Sequence, residues 1–206
     1  MKIHMLDLFS GLGGASEAMV RDSGWSVLRI ENNPLLSGVP FTVIDDVRNL
    51  QPNKMAKPWV LPNLGIDLIW ASPPCTEFSG GFHAPKSIAS REVGLDNYHP
   101  SLELVESAIR IIEIVKPKYW VIENVVGAIR YFKPLLGEPK QIIGPYVLWG
   151  NFPEIFYDKA KLTPKKHKDS GSRDPLRSNR RACVDFEVSQ GLKFAIENQQ
   201  SILDFM

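Results

Sequence analysis

Ile3-His4-Met5-Leu6-Asp7-Leu8-Phe9-Ser10-Gly11-Leu12-Gly13-Gly14 changes character past its midpoint, where an apolar run gives way to glycines. A short apolar run reads as a buried strand, and the glycines free the backbone for a turn that can approach a ligand closely. A helix is expected from about Ala15 to Ser23, so the turn would lead into a helix N-terminus with unpaired N–H groups. The spacing is not Gly-x-Gly-x-x-Gly, which argues against a nicotinamide-dependent dehydrogenase. Taken alone, such a turn is also an ordinary tight connection.

The same alternation continues outward from this unit. Trp25 to Glu31 reads as a second strand, Phe41 to Ile44 as a short third that ends at Asp45-Asp46, and Ile66 to Ala71 as a fourth stopped by Pro73-Pro74. A helix follows, with Leu102, Val105, Ile109 and Ile112 on one stripe and Leu104, Ala108, Ile111 and Val115 on its neighbour. Pro100-Ser101 stands where a helix starts and Lys116-Pro117 where it stops. Tyr119 to Ile122 is another buried strand. Strands alternating with helices imply an α/β fold, a mostly parallel sheet with helices on both faces. In such sheets ligands bind beyond the carboxyl ends of the strands. Phe9-Ser10-Gly11, Glu31, Asp46, Ser72-Pro73-Pro74-Cys75 and Glu123-Asn124 all fall at those ends.

After about Gly137 the alternation fades into proline-punctuated loops and weak strands. A last helical pattern runs from about Val188 to Ile202. The expected organisation is a core over 1–136 and a short extension over 137–206, packed on the same domain. The extension carries a basic segment that includes Lys159, Lys161, Lys165, Lys166, Lys168, Arg173, Arg177, Arg180 and Arg181, against Asp169 and Asp174. It can face a polyanion, or be a solvated charged loop. The composition, 44% hydrophobic and 23% charged, is that of a globular chain. No apolar run spans a bilayer and no signal-peptide pattern opens the chain, so a cytoplasmic protein without a membrane partner is expected. Cys75 and Cys183 are not expected to pair in a reducing cytosol, and no zinc-type spacing is present.

The chemistry-bearing residues each have two readings. Glu31 can accept from both hydroxyls of a ribose and Asp46, with Asp45 as competitor, from an adenine amino group; either can equally be an exposed turn acid. A lone cysteine is often a small buried hydrophobe. In a polar, proline-stiffened loop at a strand end, Cys75 also suits a reactive thiolate. Glu123 is either a helix cap or a partly buried carboxyl with its pKa raised, able to donate a proton.

Three stretches together make the sequence recognisable. Asp7 to Gly14, Ser72 to Ser79 (Ser-Pro-Pro-Cys-Thr-Glu-Phe-Ser) and Glu123-Asn124-Val125 resemble, in order and spacing, the first, Pro-Cys and Glu-Asn-Val motifs of the cytosine-C5 DNA methyltransferases. The resemblance covers roughly residues 3 to 130 and implies a Rossmann-like fold that binds S-adenosylmethionine. It implies that Phe9, Ser10, Gly11, Leu12, Gly13, Gly14, Glu31, Asn32, Asp46, Val47 and Pro73 hold this donor. It implies that Cys75 adds to C6 of cytosine, that Glu123 meets ring N3, and that C5 then takes the methyl group, with DNA as the partner.

Two features depart from the family. No clear copy of its Gln-x-Arg-x-Arg motif is present; Arg180-Arg181 can substitute, with different spacing. The chain after Val125 is too short for the usual target-recognition insertion. Leu148 to Pro153 can be a small platform, or a hydrophobic turn closing the core. Arg180 to Ile196 faintly resembles the end of some short phage-type relatives. Lys165, Lys166, Lys168, Arg180 and Arg181 are the candidates for nucleic-acid contact, and a separate protein can supply specificity. A transfer-RNA methyltransferase, a non-catalytic binding relative and a modified donor group remain as alternatives. The compact size suggests a protein of a virus or mobile element in a bacterial cell.

Overall fold

The computed structural model describes residues 2–52, 65–81, 83–92, 94–162 and 173–203. β1 (Ile3–Leu8) is buried at every position because strands flank it on both sides. β2 (Trp25–Glu31) and β4 (Leu68–Ala71) pair with it in parallel. β3 (Thr42–Ile44) extends the sheet beyond β2, and β5 (Tyr119–Val125) extends it beyond β4, again in parallel. β6 (Gln141–Ile143) and β7 (Tyr146–Asn151) close it as an antiparallel hairpin, giving the order β3-β2-β1-β4-β5-β7-β6. The chain thus runs outward from β1 to β3 and restarts at β4 on the other side. That reversal opens a crevice beyond the carboxyl ends of β1 and β4.

Alternate residues of β1 feed two cores. Ile3 and Met5 meet Met19 of α1 (Glu17–Val20) and Val188, Leu192 and Ile196 of α6 (Phe186–Leu203). Leu6 and Leu8 meet Val105, Ala108 and Ile111 of α3 (Glu103–Val115) and Phe132 of α4 (Ile129–Leu136). Helices therefore cover both faces, as the alternation of strands and helices predicts. Each of these large side chains contributes about 1.5–3 kcal/mol on burial. Two further helices, α2 (Pro85–Glu92) and α5 (Arg177–Ala182), bury no side chain. No helix among the described residues is long and apolar enough to cross a membrane.

Three elements differ from the sequence reading. The expected helix from Ala15 to Ser23 is a 3-10 turn, Gly14–Ser16, followed by the four-residue α1. A turn ends α1 early: the Asp22 carboxylate accepts from Gly24 N at 2.7 Å, and Trp25 N donates to Asp22 O at 3.1 Å. β5 runs past Ile122 to Val125, because β7 pairs with it along that whole stretch, so Glu123 lies inside a strand and is not a helix cap. Leu148 to Pro153 is no turn either. Its first four residues lie in β7, where Tyr146, Val147, Leu148 and Trp149 are all buried. A strand covered on both faces reads as an unbroken apolar run, which hides its period.

Candidate active site

One end of the crevice is built around the glycine turn. Phe9 leaves β1 with a φ of 58°, and Gly11 and Gly13 follow at 53° and 79°. Three positive-φ residues in five reverse the chain sharply, and Phe9 takes a conformation that only the surrounding contacts make tolerable. Those contacts are specific. Ser10 N donates to Ile30 O at 3.0 Å, and Gly11 N donates to Glu31 Oε2 at 2.9 Å. Glu31, buried at the end of β2, also accepts from Asn33 N at 2.9 Å. Leu12 is half-buried within the turn.

Beneath the turn lies a buried ionic network. Asp7 accepts from the Ser16 hydroxyl at 2.6 Å, and that hydroxyl in turn accepts from Arg29 Nε at 2.8 Å. Arg29 also donates to Gly13 O at 2.8 Å and Pro40 O at 3.1 Å. A Cβ on Gly13 would come within 2.3 Å of the guanidinium carbon, so the turn and the arginine are fitted to each other. Burial pushes the Asp7 carboxyl up to about 6, against the Ser16 hydrogen bond and the Arg29 charge, which pull it down.

The next wall comes from the loop after β3. Asp46 caps the 3-10 turn Val47–Asn49 by accepting from Arg48 N, and its carboxylate is clamped by the Arg48 guanidinium at 2.6 Å. The Arg48 hydrogen bonds hold this carboxyl below the usual range. Any ligand donor must therefore share Asp46 with Arg48, a partner that the sequence reading missed. Asp45 is exposed and accepts from Asp46 N. Arg110 of α3, also missed, fixes the loop through the carbonyls of Val47, Arg48 and Leu50. Val47 itself is buried. Between this loop, the segment after β4 and the start of α3 lies a cleft of about 250 Å³, whose lining includes Asn32, Arg48, Pro73, Phe78 and Leu104. Asn32 and Pro73 are thus brought to one cavity. Leu104 lay in the apolar pattern of the helix but carried no signal of a ligand wall.

The cysteine loop is pinned from several directions. Ser72 N donates to Leu8 O at 3.2 Å, tying the loop to β1. Asn124 Nδ2 donates to Pro73 O at 2.9 Å, tying it to β5. Cys75 O accepts from Phe78 N and Ser79 N, and Phe78 meets Phe132 edge-on at 5.0 Å. Gly127 crosses so close that a Cβ there would lie 2.0 Å from Phe78 O. Cys75 and Cys183 form no disulfide with each other. Cys75 is half-buried; burial and then the charge of nearby Glu123 push its thiol up, while Arg181 pulls it down. Cysteine and glutamate therefore share one electrostatic site at the ends of adjacent strands.

The segment after 172 crosses this site. A Cβ on Gly11 would lie 3.9 Å from Asn179 Nδ2, and one on Gly14 would lie 2.3 Å from Val184 O and 2.7 Å from Cys183 Sγ. The glycine turn is thus roofed by α5 and the residues after it. The two adjacent arginines diverge: Arg180 is bound to Asp174 at 2.6 Å, whereas Arg181 lies within Coulomb reach of Cys75. Lys165, Lys166 and Lys168 lie outside the described residues. Deeper in, the buried Tyr146 hydroxyl donates to Asp185 Oδ2 at 3.0 Å and accepts from Asp185 N at 3.1 Å. Burial, then the charges of Asp185 and Glu123, hold this phenol well above its ordinary range. No motif pointed to this pair, because tertiary packing alone joins it.

The fold class is that of a methyltransferase. A crystal structure of a putative DNA modification methyltransferase encoded within a prophage of E. coli aligns with a TM-score of 0.50 at 20% identity, covering 82% of this chain and 52% of that one. The chain belongs to the C-5 cytosine-specific DNA methylase family, whose model matches residues 3–133. It is similar to a probable DNA (cytosine-5)-methyltransferase of Frog virus 3 (isolate Goorha), 28% identical over 131 residues, 59% of this chain and 53% of the relative. It is also similar to the type II methyltransferase M.AquIA of Picosynechococcus sp., 27% identical over 140 residues, 65% of this chain and 52% of the relative. The chain spans about half the length of these curated relatives.

Proposed function

We propose that the protein transfers a methyl group from S-adenosylmethionine to C5 of cytosine in DNA. The observation that carries this reading is that the Cys75 loop is tied to β5 by the Asn124–Pro73 hydrogen bond and to the end of β1 by the Ser72–Leu8 bond, which brings Cys75 within electrostatic reach of Glu123 and next to the strand that leads into the glycine turn. The turn fits a nucleoside-bearing donor. Among the described residues Ser10 Oγ is buried with no hydrogen-bond partner, and the nearest atom beyond the chain neighbours to the place a Gly11 side chain would occupy is Asn179 Nδ2 at 3.9 Å. Glu31 has used one acceptor site on each oxygen and keeps capacity for ribose hydroxyls. Phe9, Leu12, Gly13, Gly14, Asn32, Asp46, Val47 and Pro73 complete the donor side of this reading. When bound, the donor would supply an electrophilic methyl group.

The chain's own residues perform the rest. The Cys75 thiolate forms a bond to C6 of a cytosine rotated out of the duplex stack, and the ring becomes nucleophilic at C5. Glu123, protonated, gives a hydrogen bond to ring N3, where negative charge develops. After methylation, loss of the C5 proton to a base restores the C5–C6 double bond as the C6–S bond breaks. Arg181 stabilises the Cys75 thiolate. Arg180, held by Asp174, lies at the margin of the nucleic-acid surface.

The test is incubation with labelled S-adenosylmethionine and, separately, duplex DNA, single-stranded DNA and RNA, followed by nucleoside analysis. Label in 5-methylcytosine from DNA supports the reading; label only from RNA, or none, overturns it. The thiol gives a second check. Because Cys75 is pushed up, its alkylation by iodoacetamide should accelerate with pH into the alkaline range. Arg181→Gln should move that profile further up, since removing a positive charge disfavours the thiolate. A profile unmoved by Arg181→Gln would remove the arginine from this role.

The basic segment is proposed to hold phosphates without reading bases. Replacing Lys165, Lys166 and Lys168 together with Ala should weaken binding to all DNA sequences alike. It should also flatten the salt dependence, lowering the log–log slope by about 0.9 for every phosphate these lysines neutralise. Unchanged affinity and slope in a fluorescence titration would make the segment an ordinary solvated loop.

A further inference from the structure

We propose that Glu77 is a positioning residue that keeps the Cys75 thiol in place by fastening its loop to the start of α3. The inference rests on the functional reading above only in that Cys75 is there the nucleophile.

The loop is held differently before and after the cysteine. Before it, Ser72 N reaches Leu8 O and Asn124 Nδ2 reaches Pro73 O, so the sheet grips the chain directly. After it, the chain turns on itself: Phe78 N donates to Cys75 O at 3.0 Å, and Ser79 N donates to the same oxygen at 2.9 Å. A turn closed in this way moves as a unit and needs an anchor outside itself. Glu77 supplies one. Its Oε2 accepts from Ser101 N at 2.8 Å, and its carbonyl accepts from the Tyr98 hydroxyl at 3.0 Å.

Both partners are firmly seated. Ser101 stands just before α3, which buries Val105, Ala108, Ile111 and Ile112. Tyr98 meets Tyr131 of α4 edge-on at 6.1 Å, and Tyr131 in turn meets Phe78 at 5.8 Å. The cleft of about 250 Å³ takes its lining from Pro73, Pro74 and Glu77 of the loop and from Ser101 and Leu104 at the start of α3. Across a hollow, apolar packing does not fix the distance between two walls. A charge-assisted bond from a backbone N–H to a carboxylate does, because it is short and directed. Only Thr76 separates Glu77 from Cys75 within the closed turn, so a shift of the one is a shift of the other.

The test follows the Cys75 thiol in the intact chain by two reactions. Alkylation by iodoacetamide at a fixed pH needs only that the thiol be reached; mass spectrometry resolves the Cys75 peptide from that of Cys183. Glu77→Ala should free the turn and speed alkylation of Cys75 by about fivefold, the scale of one lost hydrogen bond. Glu77→Gln removes the charge but keeps an acceptor for Ser101 N, so its rate should stay within about twofold of the unaltered protein. Adduct formation with DNA containing 5-fluorocytosine, donor present, needs the thiol at one place. Glu77→Ala should slow that reaction by about tenfold or more. The opposite signs mark positioning, since a tie that served the fold alone would produce neither. Tyr98→Phe removes the second tie and should speed alkylation by less; should Glu77→Ala fail to fold, an unchanged rate in Tyr98→Phe overturns the proposal. If Glu77→Gln speeds alkylation as much as Glu77→Ala, the charge and not the tie acts on the thiol, and the proposal is overturned. Unchanged alkylation in Glu77→Ala, or an adduct formed as fast as in the unaltered protein, overturns it as well. Failure of the methylation reading looks different: the alkylation pattern stands, while the unaltered protein itself forms no adduct and no label reaches DNA.

Discussion

Cys75→Ala should abolish methyl transfer while leaving the protein folded and the donor bound. The expected loss in rate is on the order of 10⁴-fold or more, the scale seen when a covalent nucleophile is removed from an enzyme. The reason lies in the target atom. C5 of cytosine is a poor nucleophile until a group adds at C6, and in the described site Cys75 is the thiol beside Glu123. Donor binding should survive because the Gly11–Glu31 contact is made by the turn after β1 and the end of β2, and the Cys75 side chain takes no part in it. Transfer from labelled S-adenosylmethionine and calorimetric titration of the donor measure the two quantities separately. DNA containing 5-fluorocytosine adds a direct view. A fluorine at C5 cannot leave as the proton does, so the C6–S adduct should accumulate on Cys75 in the unaltered protein. An adduct on Cys183, or full transfer by Cys75→Ala, would remove the nucleophile from its assignment.

Arg29→Met should destabilise the fold by roughly 3–5 kcal/mol near pH 8, the range for breaking a buried ion pair by removing one partner. Arg29 is 1% exposed and serves Ser16, Gly13 O, Pro40 O and Glu17 at once. Methionine fills much of its volume and supplies none of these donors. It also leaves the Asp7 carboxyl buried without its nearby cation. The sign of the pH dependence follows from Asp7. Its folded pKa, about 6, lies above the ordinary 3.8, so the folded state favours the protonated form. The stability from this group is fully present below about 4 and is lost as the pH rises through about 6. Without Arg29 the carboxyl should hold its proton still more tightly, so lowering the pH should restore part of the stability. Urea unfolding at pH 5 and pH 8 measures both; a variant equally destabilised at the two would show that Asp7 carries none of the effect.

How far the sequence alone can be read depends on where each contact is made. β1, β2 and the strand before Cys75 are legible because interior parallel strands appear as unbroken apolar runs with chemistry-bearing residues at their ends. The same unbroken run misleads at Tyr146 to Trp149, where prolines on either side make a strand resemble a turn. What identifies β7 is its partner β5, a non-local fact. Glu31 and Gly11 are both legible, but the bond between them is not. Asp46 reads as a free carboxylate, whereas Arg48, two residues later, already occupies it. Arg181 stands out in the sequence only for want of a family motif, and folding alone brings it to Cys75. Tyr146 and Asp185 carry no local signal at all.

The roof over the glycine turn has a consequence for the order in which the molecule can assemble. Ala18 N donates to Ser189 Oγ and Trp25 Nε1 to Glu197, joining residues 171 and 172 positions apart. β1, β2 and α1 are made before α6, and the apolar surface they share with it stays uncovered until the intervening chain has been made. Closing a loop that long is slow compared with forming local structure, so β1, β2 and α1 are sealed late. Nascent chains arrested before residue 186 should expose Met5 and Met19 to chaperones and bind the donor weakly. Synthesis itself would then act as a timer on this half of the site.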